Sequence, residues 1–238
     1  MFFRPLLKPT LWFLPMFAVL IGLGTWQVER LHWKVALLEK MNASLSARPL
    51  SLAEILELPN DQAQYHHVAL EGRFDNAKEA YAFGTDAEGK PVFHVLTPLI
   101  LADGRALIVD RGIVPQDRRD PKTRQAGQLN GIRHVTGVWR TPDPANLFTP
   151  KPDIAKREWF SRDVAAIARL DGVQLVAPVI VEADATPNPG GWPRGGQTVV
   201  SLPNNHLQYA ITWYLMALGL LAVYLAYHRQ KGRLGRPA

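Results

Sequence analysis

Thr10–Val28 reads TLWFLPMFAVLIGLGTWQV and Leu207–Tyr227 reads LQYAITWYLMALGLLAVYLAY. Neither stretch holds an Asp, Glu, Lys, Arg or His. A helix rises about 1.5 Å per residue, so each is about the length that crosses a ~30 Å hydrocarbon core. The expected fold is an integral membrane protein: two transmembrane helices, residues 10–28 and 207–227, form a hairpin, and a β-rich α+β soluble domain is inserted between them over residues 29–206.

Charge sets the expected orientation. The chain carries 27 Lys and Arg against 21 Asp and Glu. Six of the cations, Arg4, Lys8, Arg229, Lys231, Arg233 and Arg236, sit in the tails 1–9 and 228–238, which hold no acidic residue. That leaves 21 cations to balance 21 anions, so the middle is neutral. No basic stripe of the kind nucleic-acid binding needs is evident, and no nucleic-acid partner is expected. Tail cations instead mark the cytoplasmic side. Both termini are then cytoplasmic, and the middle domain faces the periplasm. No small-x-small cleavage site follows the first stretch, which reads as an uncleaved anchor, and no Arg- and Ser-rich transit peptide precedes it. These features favour a bacterial inner membrane. The chain has no Cys, which excludes disulfide staples, thiolate metal sites and Cys nucleophiles.

Between the spans, Glu29–Leu45 continues the helical period, with Leu31, Val35, Leu38 and Met41 on one face. Ser51-Leu52-Ala53-Glu54 is a capping box that opens a short helix ending near Pro59. Tyr65–Phe74, Val92–Leu101, Ala106–Val114, Ile132–Trp139 and Val173–Val181 are rich in β-branched and aromatic residues and read as strands. Asp103-Gly104 reads as a hairpin turn. Ser161–Leu170 reads as a helix capped by Ser161 and stopped by Gly172. Pro187–Gly196 is a Pro/Gly-dense linker, and Thr198–Leu202 is a candidate short strand. The pattern fits an antiparallel barrel or a sandwich equally well.

The hairpin brings two ends to one level. The first span's outer end carries Trp26, Gln27 and Arg30, and the second begins with His206, Tyr209 and Trp213 at i, i+3, i+7. Ala18, Gly22, Ala210 and Ala217 permit close helix approach. An imidazole, aromatic faces and a guanidinium are the parts of a haem edge site. The same residues also read as an aromatic belt, a snorkelling Arg and a solvated cap His. Elsewhere, His66 and His67 point to opposite faces of a strand and cannot easily share a metal. Asp110-Arg111 reads as an ion pair closing a strand end, with a partner contact as the alternative, His94 and His134 as strand residues, and 117–120 as a solvated loop. No phosphate-cradling loop, paired helical His or nucleophile elbow is present.

The end motifs carry a resemblance. Leu23–Lys34 (LGTWQVERLHWK) resembles the opening signature of the surfeit-locus (Surf/Shy-type) family of cytochrome c oxidase assembly factors, and Asn204–Tyr214 (NNHLQYAITWY) is similar to its closing signature. Thr97-Pro98-Leu99 and Val109–Pro115 resemble its central strands, with Asp110 and Ile113 departing from that motif's Asn and Trp. The resemblance implies a non-enzymatic assembly factor that binds haem a transiently and assists its insertion into the oxidase catalytic subunit. It places the family's haem-associated His on His206 as axial ligand, with Trp26, Arg30, Tyr209 and Trp213 as neighbours and no other metal ligand. Its implied partners are the catalytic subunit, haem a synthase and the bilayer. A cofactor-free membrane scaffold stabilising an oxidase intermediate is the alternative. A membrane-anchored enzyme would need converging titratable groups in the middle domain.

Overall fold

The first apolar stretch belongs to a helix much longer than one span. In the computed structural model, which describes residues 2–86, 88–142, 145–198 and 204–235, a two-residue strand β1 (Phe2–Phe3) precedes α1 (Leu7–Ser46). Then come β2 (Leu50–Ser51), α2 (Leu52–Glu57), α3 (Asn60–Ala63), β3 (His67–Phe74), β4 (Ala80–Thr85), β5 (Pro91–Ile100) and β6 (Ala106–Pro115). They are followed by β7 (Ile132–Arg140), β8 (Glu158–Trp159), α4 (Val164–Asp171), β9 (Leu175–Ala183), α5 (His206–Gln230) and β10 (Leu234–Gly235). Residues 1–40 and 200–238 make one unit, and residues 41–199 the other.

In the helical unit, the partly buried positions of α1 recur at three and four: Phe13, Phe17, Leu20, Gly24, Gln27. On α5 they are His206, Ala210, Trp213, Ala217, Tyr224 and His228. That is the periodicity of two helices meeting along one seam. Its contacts run antiparallel. The Thr10 and Tyr224 hydroxyls lie 2.6 Å apart, Phe13 stacks on Tyr224 at 4.1 Å, and Thr25 meets the Tyr214 hydroxyl at 3.1 Å. Gly24 is required there, because a Cβ would stand 2.7 Å from the Tyr214 ring. The fully buried His228 donates from Nδ1 to the Tyr224 carbonyl and accepts the Leu6 amide at Nε2, 3.0 Å away. β1 pairs with β10 beside it. Both helices are long and apolar enough to cross a membrane, yet only 11% and 17% of their most apolar windows are buried within the protein. A soluble core helix would hide that surface; here lipid must cover it.

The second unit is a closed five-stranded barrel. β3 pairs with β7, β7 with β9, β9 with β6, β6 with β5, and β5 returns to β3 through Arg73–Ile100 and Phe74–Leu99. Within this ring every pairing is antiparallel except β6 with β9. β3 alternates strictly, sending Val68, Leu70 and Phe74 inward to meet Leu99, Leu107, Val109, Trp139 and Val181. β5 and β6 are buried on both faces because β4, β8 and α4 cover them outside, where Ile108 and Leu96 pack on Trp159, Val164 and Ile167. Closure leaves this ring no open edge.

Local signals explain most elements. The Ser51–Glu54 capping box forms and opens α2. α4 is capped by Asp163, whose side chain accepts the Ala166 amide, rather than by Ser161, and Gly172 ends it at φ 62°. Asp163 lies one residue before the first helical position, where a short carboxylate reaches the orphan amides. β4 was not expected, since AYAFGT mixes Ala and Gly into a strand with no clean alternation. The 187–196 segment is no free linker: Arg194 exchanges backbone hydrogen bonds with Ile113 at 2.9 and 3.0 Å, and Gly112, at φ 111°, lets the two chains touch. The candidate strand at 198–202 lies, beyond Thr198, outside the described residues.

Asp110 and Arg111 do not pair with each other. They point to opposite sides of β6. Arg111 enters a buried cluster in which Glu79 also holds Arg124 by two hydrogen bonds, 2.6 and 3.1 Å, and accepts from Gln128. The Arg111 guanidinium lies 4.6 Å above the Phe74 ring and bonds the Gly127 carbonyl. Burial is the main cause that pulls the Arg111 guanidinium down to about 10, with Glu79 opposing the fall. One carboxylate is thus shared by two interior guanidiniums, which also donate to the backbone carbonyls of Gly127, Arg118 and Arg119. We expect Glu79→Gln to cost about 3–5 kcal/mol, because it strands two buried cations. A near-ultraviolet circular dichroism melt of the full chain checks this; an unchanged transition would contradict it.

Candidate functional site

At the end of the seam opposite His228, α5 starts with the sequence-predicted His206. Asn205 precedes it as the cap but makes no side-chain cap bond. His206 is half-buried and its Nδ1 lies 2.7 Å from Gln27 Oε1 on α1. A carboxamide oxygen only accepts, so Nδ1 carries the proton and donates. Nε2 is then the nitrogen with the free lone pair, and it has no hydrogen-bond partner among the described residues. The neighbouring Asn204 Oδ1 is buried and likewise lacks a partner among them.

The other expected neighbours divide. Trp213 is half-buried one turn beyond Ala210, which is 2% exposed and lies against α1. Trp26 and Tyr209 are 51% and 55% exposed. The Arg30 guanidinium sits 4.4 Å over the Trp33 ring of its own helix. Among the described residues, no hydrogen bond or ring contact ties Trp26, Arg30 or Tyr209 to His206. Gln27 is the residue that sequence reasoning passed over as a partner. Its signal was register alone: an amide at the level where the second helix begins.

The barrel unit holds a second polar site. His94 Nδ1 donates to Asp110 Oδ2 at 2.8 Å, and Arg162 reaches Asp110 at 3.3 Å and Glu182 at 3.0 Å. The Thr198 hydroxyl donates to Glu182 at 2.6 Å. His94, Arg162, Glu182 and Thr198 line, with Arg140, a cleft of about 340 Å³, and Asp110 lies behind His94 and Arg162. Its charges are arranged to satisfy one another, so through Arg162 it fastens the segment before α4 to the barrel wall. Among the described residues His66 and His67 gain no shared partner, and His134 lies outside, 3.4 Å from Glu71. Among the described residues, no three His, Asp or Glu side chains converge as a metal site.

Fold and site together define a class: a membrane protein with a two-helix hairpin at its ends and a closed β-barrel between them. The family model described as "SURF1 family" matches residues 14–218. Surfeit locus protein 1 of Mus musculus is 35% identical over 220 residues, covering 85% of this chain and 70% of that protein. The Takifugu rubripes protein of the same name is 34% identical over 224 residues, covering 85% and 90%. The Homo sapiens one is 35% identical over 210 residues, covering 81% and 68%. The chain belongs to the SURF1 family.

Burial alone would raise the Asp110 carboxyl, but His94, Arg162 and the Gly112 amide outweigh it and hold it below its ordinary value. A depressed carboxylate stabilises the fold above its unfolded value and loses that contribution as pH falls through the native one. The destabilisation caused by Asp110→Asn is therefore expected to be largest near neutrality. It should shrink as pH drops below about 4, where the carboxyl of the unfolded chain takes up its proton first, and disappear once the native carboxyl, held lower, is protonated as well. Paired melts across pH check this; a constant difference would contradict it.

Proposed function

We propose that this protein is an assembly factor for haem–copper cytochrome c oxidase that holds haem a transiently and assists its insertion into the catalytic subunit. Membership of the SURF1 family supports the role in oxidase assembly. The single observation behind the haem reading is the bond from His206 to Gln27. It sets the ring tautomer and aim, as a hydrogen-bond partner behind a metal-bound imidazole does, and leaves Nε2 free to act as axial ligand. The residues present therefore fit the cargo. Bound iron would accept one nitrogen lone pair. Everything else is the work of the chain: Gln27 orients, Trp213 offers an aromatic wall, and Trp26 and Arg30 midway along α1 and Tyr209 at the start of α5 stand exposed to meet an incoming macrocycle and its carboxylates. A single protein ligand suits a carrier, because cargo held by one bond can be released.

In this reading the protein resides in a bacterial inner membrane. Both termini are cytoplasmic beside their cations, the barrel is periplasmic, and its surface docks the oxidase subunit. Haem a synthase is the natural donor. The role requires no turnover of substrate by the chain itself.

The test is spectroscopic. Full-length protein purified from cells that make haem a is expected to show a Soret band. His206→Ala should abolish it. Gln27→Leu should keep the ligand and weaken haem affinity by about tenfold or more. An unchanged spectrum in His206→Ala removes the ligand assignment. Protein that never carries haem overturns the carrier role and leaves a cofactor-free scaffold.

A further inference from the structure

Between β7 and β8, the barrel unit holds two large apolar side chains out in solvent. Leu147 is 100% exposed and Phe148 94%. They ride on a closed turn. The Phe148 amide donates to the Asn146 side-chain oxygen at 2.8 Å, the Thr149 amide donates to the Asn146 carbonyl at 3.0 Å, and the Asn146 amide donates to the Thr149 hydroxyl at 2.9 Å. Pro150 and Pro152 follow, and a proline has no amide to satisfy. The tip therefore combines hydrocarbon side chains with a backbone whose donors are largely met internally. That combination suits a medium of low polarity, where an unpaired amide is costly.

We propose that the 146–149 turn dips Leu147 and Phe148 into the interfacial layer of the bilayer that holds α1 and α5. Three observations select lipid as the occupant. The barrel is joined at both its ends to helices of span length, so it works beside a bilayer. Three of the turn's four amides, those of Asn146, Phe148 and Thr149, are paired within it. The exposed Lys151 follows directly, and its ammonium can reach anionic headgroups while its stem lies along apolar surface. The inference stands apart from any haem chemistry; it gives the barrel an attachment to the bilayer of its own.

The test exploits a chain without Cys. Phe148→Cys creates one labelling site at a nearly fully exposed position, so the fold is undisturbed. The full chain carries a nitroxide there, in nanodiscs of phosphatidylethanolamine and phosphatidylglycerol. Expected is a label reached more easily by oxygen than by a water-soluble nickel chelate, with an oxygen-to-nickel ratio several-fold above that of the same label at His134→Cys, an 85% exposed site. A ratio equal to that at 134 overturns the proposal. So does protection that appears only once an oxidase subunit is added, which would assign the turn to a protein pocket.

Discussion

The antiparallel seam between α1 and α5 is the constraint on which the site depends. Most of its length is shape: Gly24 under Tyr214, Ala210 and Ala217 against the facing helix, Phe13 on Tyr224. Lipid tails are as apolar as these side chains, so packing alone specifies register weakly. The polar pairs supply what packing lacks. At one end Thr10 meets Tyr224 and the Leu6 amide meets His228; at the other His206 meets Gln27. A slip by one turn would leave these groups without partners in a medium that offers no water. The bond that orients His206 is thus one of the bonds that sets register, so the pair proposed to present the imidazole to haem also has a structural role.

The barrel meets a different problem with the same means. Closure around β3, β7, β9, β6 and β5 buries an apolar interior without disulfide help. The charges it could not leave at the surface are grouped into two networks on opposite sides of β6. One, centred on Glu79, gathers Arg111, Arg124 and Gln128 under the 121–127 turn. The other, centred on Asp110, gathers His94 and Arg162. Adjacent residues of one strand serve both, because side chains alternate in direction along it. In both networks the charged groups are hydrogen-bonded from within the barrel, whereas at the start of α5 the His206 Nε2 and Asn204 Oδ1 atoms lack partners among the described residues.

What the amino-acid order revealed was local. The spans, the capping box at Ser51, the five barrel strands and the hairpin turn at Asp103-Gly104 each depend on a few neighbouring residues, and each was legible. β4 was not, because its residues are dictated by neighbours on both faces rather than by alternation. Barrel and sandwich could not be told apart, since closure rests on two residue pairs between β3 and β5 that lie far apart in the chain. At the helix end, the level shared by Trp26, Gln27 and His206 followed from topology. Which side chain would meet the imidazole did not, because rotation about each helix axis is set by the seam. His228 was hidden for the same reason: a His after an apolar run looks solvated until the facing helix covers it.

The central claim is that the two helices pack antiparallel in the register that sets Gln27 beside His206. In a chain free of Cys, paired substitutions read this directly in native membranes with a short bis-thiol reagent. The account predicts cross-linking of Gln27→Cys with His206→Cys and of Thr10→Cys with Tyr224→Cys, and none of Thr10→Cys with His206→Cys. Cross-linking of the 10–206 pair, or failure of both of the others, would contradict it.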